Sequence, residues 1–218
     1  MATSEIDQHA SIQGSPLDVQ ALKANVTYNK NECGWFFSKE DPRWELSNMA
    51  GGMTIRFDKR VWNSSEQLYQ ASKYSPAAIC LPDTSKTKKG ADPNVRARIE
   101  SATNARGAKM TQKCAVKAGL VRPDWDDPQY EIRVHSMLWV LELKLYHNPL
   151  TFGKALRDTG DLLLAEISKK DFFWGCKDLG NGKIEGQNVL GKLLEIVRSR
   201  RSDVRSGDFL YKDGFLLA

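Results

Sequence analysis

Glu66, Gln70 and Lys73 fall at i, i+4 and i+7 in the stretch Trp62 to Tyr74, Trp-Asn-Ser-Ser-Glu-Gln-Leu-Tyr-Gln-Ala-Ser-Lys-Tyr. On a helix this spacing sets a carboxylate, an amide and an amine along one face. Such a group can do acid–base or nucleophilic chemistry. It can equally be a solvated face, because charged helix faces are common. Ser64 followed by Gln67 has capping-box spacing, so the helix is expected to start there. Glu66 then lies in the first turn, where the positive end of the helix dipole favours an ionised carboxylate. Leu68, Ala71 and Ser72 point another way, toward close packing.

The elements that must position this helix follow from pattern. Residues 1–27 are polar and aperiodic and read as a flexible tail. Trp35-Phe36-Phe37 suggests a first strand. Met53 to Phe57 alternates at period two and runs through Asp58-Lys59-Arg60 to Val61-Trp62, a small N-terminal β-hairpin that feeds the Ser64 cap. Ser75-Pro76 ends or kinks the helix. Residues 82–94 form a loop by composition, and Lys86, Lys88 and Lys89 there are either phosphate contacts or solvated charges. Helix is predicted from 93 or 94 to Arg106, and again after Gly107 to Lys117. Ile132, Val134, Met137, Leu138, Leu141 and Leu145 recur at helical spacing and read as core. A short helix spans Leu150 to Thr159 and is closed by Gly160. Residues 162–167 form a buried strand or helix, which periodicity alone does not decide. Asn188 is expected to cap a last helix from Val189 to Arg200, with Leu190, Leu193, Leu194 and Val197 inward. Residues 203–218 read as an appended C-terminal tail.

At 218 residues with ordinary apolar and charged fractions, the chain has the profile of one globular domain, here bounded at 28–202. The fold class expected is α+β, predominantly helical. A net charge of +5 suits phosphate-bearing ligands without marking a nucleic-acid binder. The apolar runs fall short of a membrane span, and the first residues lack the features of a secretory signal. Cys33, Cys80, Cys114 and Cys176 are scattered without a Cys-x-x-Cys pair. Free thiols in a reducing compartment are therefore expected, and neither a metal site nor a cofactor. The location expected is cytoplasmic, with the nucleus not excluded; the pattern sets no oligomeric state.

The segment Ser-Ser-Glu-Gln-Leu-Tyr-Gln-Ala-Ser-Lys, residues 64–73, resembles the (S/T)-S-E-H-x-x-Q-A-x-K signature of the YbiA-like, or NADAR, family of N-glycosidases. Further matches follow in the family's order: Leu46 to Met49, Thr159 to Asp161, Lys170 to Gly175 and Gly186 to Arg198. Together they cover about residues 35 to 200, and the ordered series is specific where each match alone is weak. The resemblance implies cleavage of an N-glycosidic bond through an oxocarbenium-like transition state. Glu66 is the implied catalytic carboxylate, stabilising positive charge on the ribose and activating water. Asp171 is a second implied carboxyl, whose alternative is a turn or helix cap. Lys73 is implied to hold a phosphate or ribose hydroxyl, or to attack the anomeric carbon with ring opening to a Schiff base. Ser47, Asn48 and Gln70 are implied to bind ribose or base edges. Trp174 offers a stacking face, and Gly175 to Asn188 lead to a helix N-terminus that favours phosphate.

The sequence departs from the family pattern in three places. Gln67 stands where histidine is usual, Ser72 replaces a common glutamine, and the loop between Trp174 and Asn188 is longer than in compact bacterial members. Two substrates compete within the resemblance. One is ADP-ribose on guanine, as a nucleoside or in nucleic acid; the other is a phosphorylated ribosylamino-pyrimidine of riboflavin biosynthesis. No fused deaminase or reductase segment accompanies the domain in this sequence, which favours the first. A non-catalytic ADP-ribose or nucleic-acid binding module is the reading from another class.

Overall fold

Helix α5 (Ile132–His147) is the axis of the molecule. The computed structural model describes residues 17–74, 94–117 and 121–200, with the backbone alone for 114–117. The α5 stripe Ile132, Val134, Met137, Leu138, Leu141 and Leu145 is buried as its spacing predicts, and Trp139, Val140 and Leu143 are buried beside it. A helix apolar on nearly every side must be enclosed. Helices α2 (Ser65–Ser72), α6 (Phe152–Asp158) and α7 (Val189–Ser199), with strand β3 (Ile55–Phe57), pack around it. One lysine sits inside this core. Lys144 Nζ donates to the carbonyls of Glu45 at 2.8 Å and Ser47 at 2.9 Å, with the Phe152 ring centroid 4.3 Å away. Burial lowers its pKa to about 7.

The strands are short and form three groups. Strand β1 (Val26–Asn29) pairs antiparallel with β7 (Lys183–Gly186), which pairs on its other side with β6 (Lys177–Asp178). Strand β2 (Cys33–Phe36) runs parallel to β5 (Leu163–Glu166). Residues 162–167, open between strand and helix in the sequence, thus contribute a strand. The expected hairpin is β3 with β4 (Arg60–Trp62), closed by Asp58 and Lys59 at φ 51° and 57°. Two successive left-handed residues make the type I′ turn that matches strand twist. With seven helices and these small sheets among the described residues, the fold is α+β and predominantly helical, as expected. Among those residues no helix is long and apolar enough to cross a membrane.

Three local expectations are corrected. Residues 1–27 were expected as tail, yet α1 (Val19–Lys23) buries Val19 and Leu22, and β1 starts at Val26. Asp18 Oδ1 caps α1 by accepting from the Ala21 N–H at 2.9 Å; a helix this short gives no periodic signal. The helix expected to run to Arg106 breaks earlier, into α3 (Val95–Glu100) and α4 (Ala105–Lys117). Asn104 Oδ1 accepts from the Gly107 N–H at 2.9 Å, so Asn104 opens the second helix and Gly107 lies inside it. Asn188 precedes α7, but its side chain makes no cap bond. Residues 1–16, the Ser75-Pro76 stop, loop residues 82–93 and the tail 203–218 lie outside the described residues.

Candidate active site

All eight residues of α2 are buried, which removes the solvated-face reading of Glu66 and Gln70; Lys73, the C-cap residue just beyond, is half-buried. The helix is fixed at its start by the predicted cap, Ser64 Oγ accepting from the Gln67 N–H at 3.2 Å. Gln67 Oε1 returns to the Asn63 N–H at 2.6 Å, one residue before the position a capping box requires. Its Nε2 donates to the carbonyls of Ile99 and Glu100, both at 3.0 Å, and of Ala102 at 2.9 Å. Where the family pattern has histidine, this chain has an amide engaged in tying α2 to the end of α3. The Asn48 carbonyl accepts from the Glu66 N–H at 3.2 Å and so satisfies another orphan donor of the first turn.

A pocket of about 400 Å³ opens over this face, and Asn48, Glu66, Gln70, Lys73, Asp171 and Trp174 all line it. Glu66 is 5% exposed, and its Oε1 accepts from Gln70 Nε2 at 2.8 Å with Lys109 Nζ at 3.7 Å. Gln70 Oε1 and Asn48 Oδ1 are buried acceptors with no partner among the described residues. Buried acceptors carry a desolvation cost unless a donor meets them, which suits ligand hydroxyl or N–H groups at this wall. Lys73 Nζ contacts Gln112 Oε1 at 3.4 Å and lies 5.4 Å from the Tyr69 ring centroid and 5.7 Å from that of Trp125. Burial among these rings lowers the Lys73 pKa to about 8 against the opposing pull of Glu66.

Asp171 serves as a turn cap and stands at the pocket wall. Its Oδ1 accepts from the Trp174 N–H at 3.1 Å. Trp174 is half-buried, packing edge-on to Tyr69 at 5.7 Å and to Phe173 at 4.8 Å.

Three implied binding residues are placed elsewhere. Ser47 is 1% exposed; its Oγ accepts from the Met49 N–H at 3.1 Å and its carbonyl from Lys144, so it shapes the loop that carries Asn48. Gly175 is scaffold: a Cβ there would lie 2.5 Å from the Glu166 carbonyl oxygen. Asn188 is fully buried, donating from Nδ2 to the Leu164 carbonyl at 2.7 Å and accepting at Oδ1 from the Glu166 N–H at 3.4 Å. It staples α7 to β5 and has no surface for a ligand.

The motif reading missed Glu166 and Lys109, and with them Gln112, Ser168 and Lys169, among the polar residues of the pocket. Burial raises the Glu166 pKa to about 7; Lys109 opposes the shift, and Glu66 and Asp171 add to it. A charged residue closing the apolar run of a parallel strand was the available signal, because ligand sites gather at such strand ends. A carboxyl raised by burial, beside the Glu66 carboxylate and an amine lowered toward neutrality, is an arrangement that can do acid–base chemistry.

Residues 35–201 match the NADAR domain. The chain is 34% identical over 165 residues to a riboflavin biosynthesis protein of Vibrio vulnificus; the match takes in 75% of this chain and only 37% of that protein. It is 29% identical over 160 residues to an N-glycosidase of Nostoc punctiforme, across 72% of this chain and 86% of that one. The fold resembles the NMR structure of the Escherichia coli protein YbiA, with a TM-score of 0.52 and 20% identity over 84% of this chain and 89% of that one. With the domain match spanning most of its length, the chain belongs to the NADAR family.

Proposed function

We propose that this protein hydrolyses the N-glycosidic bond between ADP-ribose and guanine. The observation that carries the reading is the convergence of Glu66, Lys73 and Glu166 on one polar pocket. The N-glycosidase name of the Nostoc relative supports the reaction class. Lys109, Lys169 and Lys170 line the same pocket with Lys73, a cationic wall suited to a diphosphate.

Departure of guanine requires electron density at the anomeric carbon and a proton at the base. Lys73 in its neutral form attacks that carbon; the bond to guanine breaks, and its electron pair leaves with the base. Protonated Glu166 supplies the proton. Glu66 offsets the positive charge that spreads over the ribose. The Lys73 nitrogen passes a proton to the ring oxygen as the bond from that oxygen to the anomeric carbon opens to a protonated imine. Glu66 then activates the water that adds to the imine carbon and frees the sugar with the Lys73 amine restored. The lowered pKa of Lys73 favours attack over a purely cationic holding role.

The Vibrio relative's name favours a second substrate, a phosphorylated ribosylamino-pyrimidine, for the same chemistry. Incubating the protein with ADP-ribosyl guanosine and with the ribosylamino-pyrimidine, and following base release by chromatography, decides between them. Release of guanosine from the first and no reaction with the second is expected. The reverse pattern overturns the substrate assignment, and no release from either overturns the activity.

A further inference from the structure

Phe37, Ile167, Ser168 and Lys169 each line two cavities, the catalytic pocket and a neighbour of about 500 Å³. The neighbour is completed by Lys30, Trp35, Asp41, Lys177 and Asp178, none of which reaches the catalytic pocket. Its size is that of a small-ligand site. Phe37 stands at the junction, 43% exposed. Its backbone is held, because Asp41 Oδ2 accepts from the N–H groups of Phe37 at 2.9 Å and Ser38 at 2.6 Å. An anchored aromatic left open to solvent between two cavities is a stacking platform.

Charge completes the picture. Three lysines face two aspartates, but both aspartates are engaged. Asp41 serves the backbone as above. Asp178 pairs with Lys30 at 2.7 Å and accepts from the Gly180 N–H at 2.9 Å. Lys30 in turn sits 4.6 Å from the Trp35 ring centroid, so that ring already has a cation over it. Lys169 and Lys177 have no carboxylate within salt-bridge distance among the described residues, and Lys169 lies 5.6 Å from the Phe37 centroid. Two cations with no carboxylate partner among the described residues, one of them over the Phe37 ring at a longer distance than Lys30 over Trp35, suit a phosphate attached to a base on that ring.

We propose that this second cavity is a nucleotide subsite, taking a base on Phe37 and its phosphate between Lys169 and Lys177, in covalent continuity with the ribose in the catalytic pocket. The inference rests on the function proposed above and extends it to the part of the substrate beyond the scissile bond. Two sources share this chemistry: the adenylate end of ADP-ribose, and the neighbouring nucleotide of a strand that carries the modified guanine.

Lys177→Glu tests it, since Lys177 is exposed on β6 and, of the two cavities, lines the second alone. Kinetics on ADP-ribosyl guanosine and on a trinucleotide with the same group on its central guanine distinguish the sources. A KM raised about five- to tenfold on both substrates with kcat unchanged assigns the subsite to the adenylate. The same rise on the trinucleotide alone assigns it to the neighbouring nucleotide, and the salt dependence of log KM should then flatten by about 0.7. Unchanged KM on both overturns the proposal. Binding of ADP and of a fluorescent single-stranded pentanucleotide, measured on the same variant, needs no turnover. If neither substrate is cleaved, the glycosidase reading fails by itself. The subsite is then supported by weakened binding of either probe and overturned by wild-type binding of both.

Discussion

Gln70 Nε2 donates to Glu66 Oε1 at 2.8 Å, one helical turn along the same buried face. Lys109 Nζ approaches the same oxygen at 3.7 Å. Both contacts fall on Oε1, which leaves Oε2 for substrate or water. A side chain held by its own helix costs little reorganisation when charge develops beside it.

Glu66→Gln keeps this shape and removes the charge. It should lower kcat by about 10²–10⁴-fold while melting at the wild-type temperature. A folded Glu66→Gln protein with unchanged kcat would remove Glu66 from the chemistry.

Lys73 should be trapped. Burial brings its pKa to about 8, so roughly one amine in ten is neutral at pH 7. Borohydride added during turnover reduces an imine to a stable amine, and mass spectrometry should find the sugar adduct on Lys73. Turnover with no adduct on this residue would leave Lys73 as a cation that holds phosphate.

The pH profile carries the roles of Glu166 and Lys73 together. Activity needs Glu166 protonated, a form lost as pH rises through about 7. It also needs Lys73 neutral, a form gained as pH rises through about 8. The product gives a bell in kcat/KM whose flanks each fall tenfold per pH unit, breaking near 7 on the acid side and near 8 on the alkaline side. Glu166→Gln should lower the rate, abolish the alkaline flank and move the acid break up toward 8. A profile with no acid flank would assign Lys73 its charged form.

How far this site was legible follows from where its residues come from. Glu66, Gln70 and Lys73 belong to one helix segment, so spacing and a cap were enough to group them. Glu166 enters from a strand end and Lys109 from α4, and only packing brings them to α2. The matched motifs also mix site with scaffold. Asn188 and Gly175 sit beside Trp174 in the pattern, but one closes the contact of α7 with β5 and the other lets two backbones touch. The hairpin and the α5 stripe were legible because their signals are local. Helix α1 was not, because five residues hold too little periodicity.

Lys144 links the core to the site, since the carbonyls it binds, those of Glu45 and Ser47, belong to the turn that leads directly into Asn48. Lys144→Met keeps much of the side-chain volume but orphans both carbonyls, at about 1–3 kcal/mol each. Chemical denaturation should show that loss, and KM should rise as Asn48 shifts. Unchanged stability would show that the loop closes over without the amine.

Trp174 stands between the core and the candidate pocket. Its indole packs edge-on against Tyr69, itself in the core, and the same side chain lines the catalytic pocket. Truncating a buried tryptophan costs about 3–5 kcal/mol, and a half-buried one should lose roughly 2. Stacking on an aromatic ring is worth about 1–3 kcal/mol per base, or roughly 5- to 150-fold in affinity. Trp174→Ala should therefore lose both stability and ADP-ribose affinity, whereas Trp174→Phe, which keeps a ring for Tyr69 and for the ligand, should recover most of each. Thermal melts and ADP-ribose titrations on the two variants check this. Loss of stability with affinity intact would make Trp174 a core residue whose exposed edge does no binding, and the aromatic wall of the pocket would then be Phe37 with Tyr69.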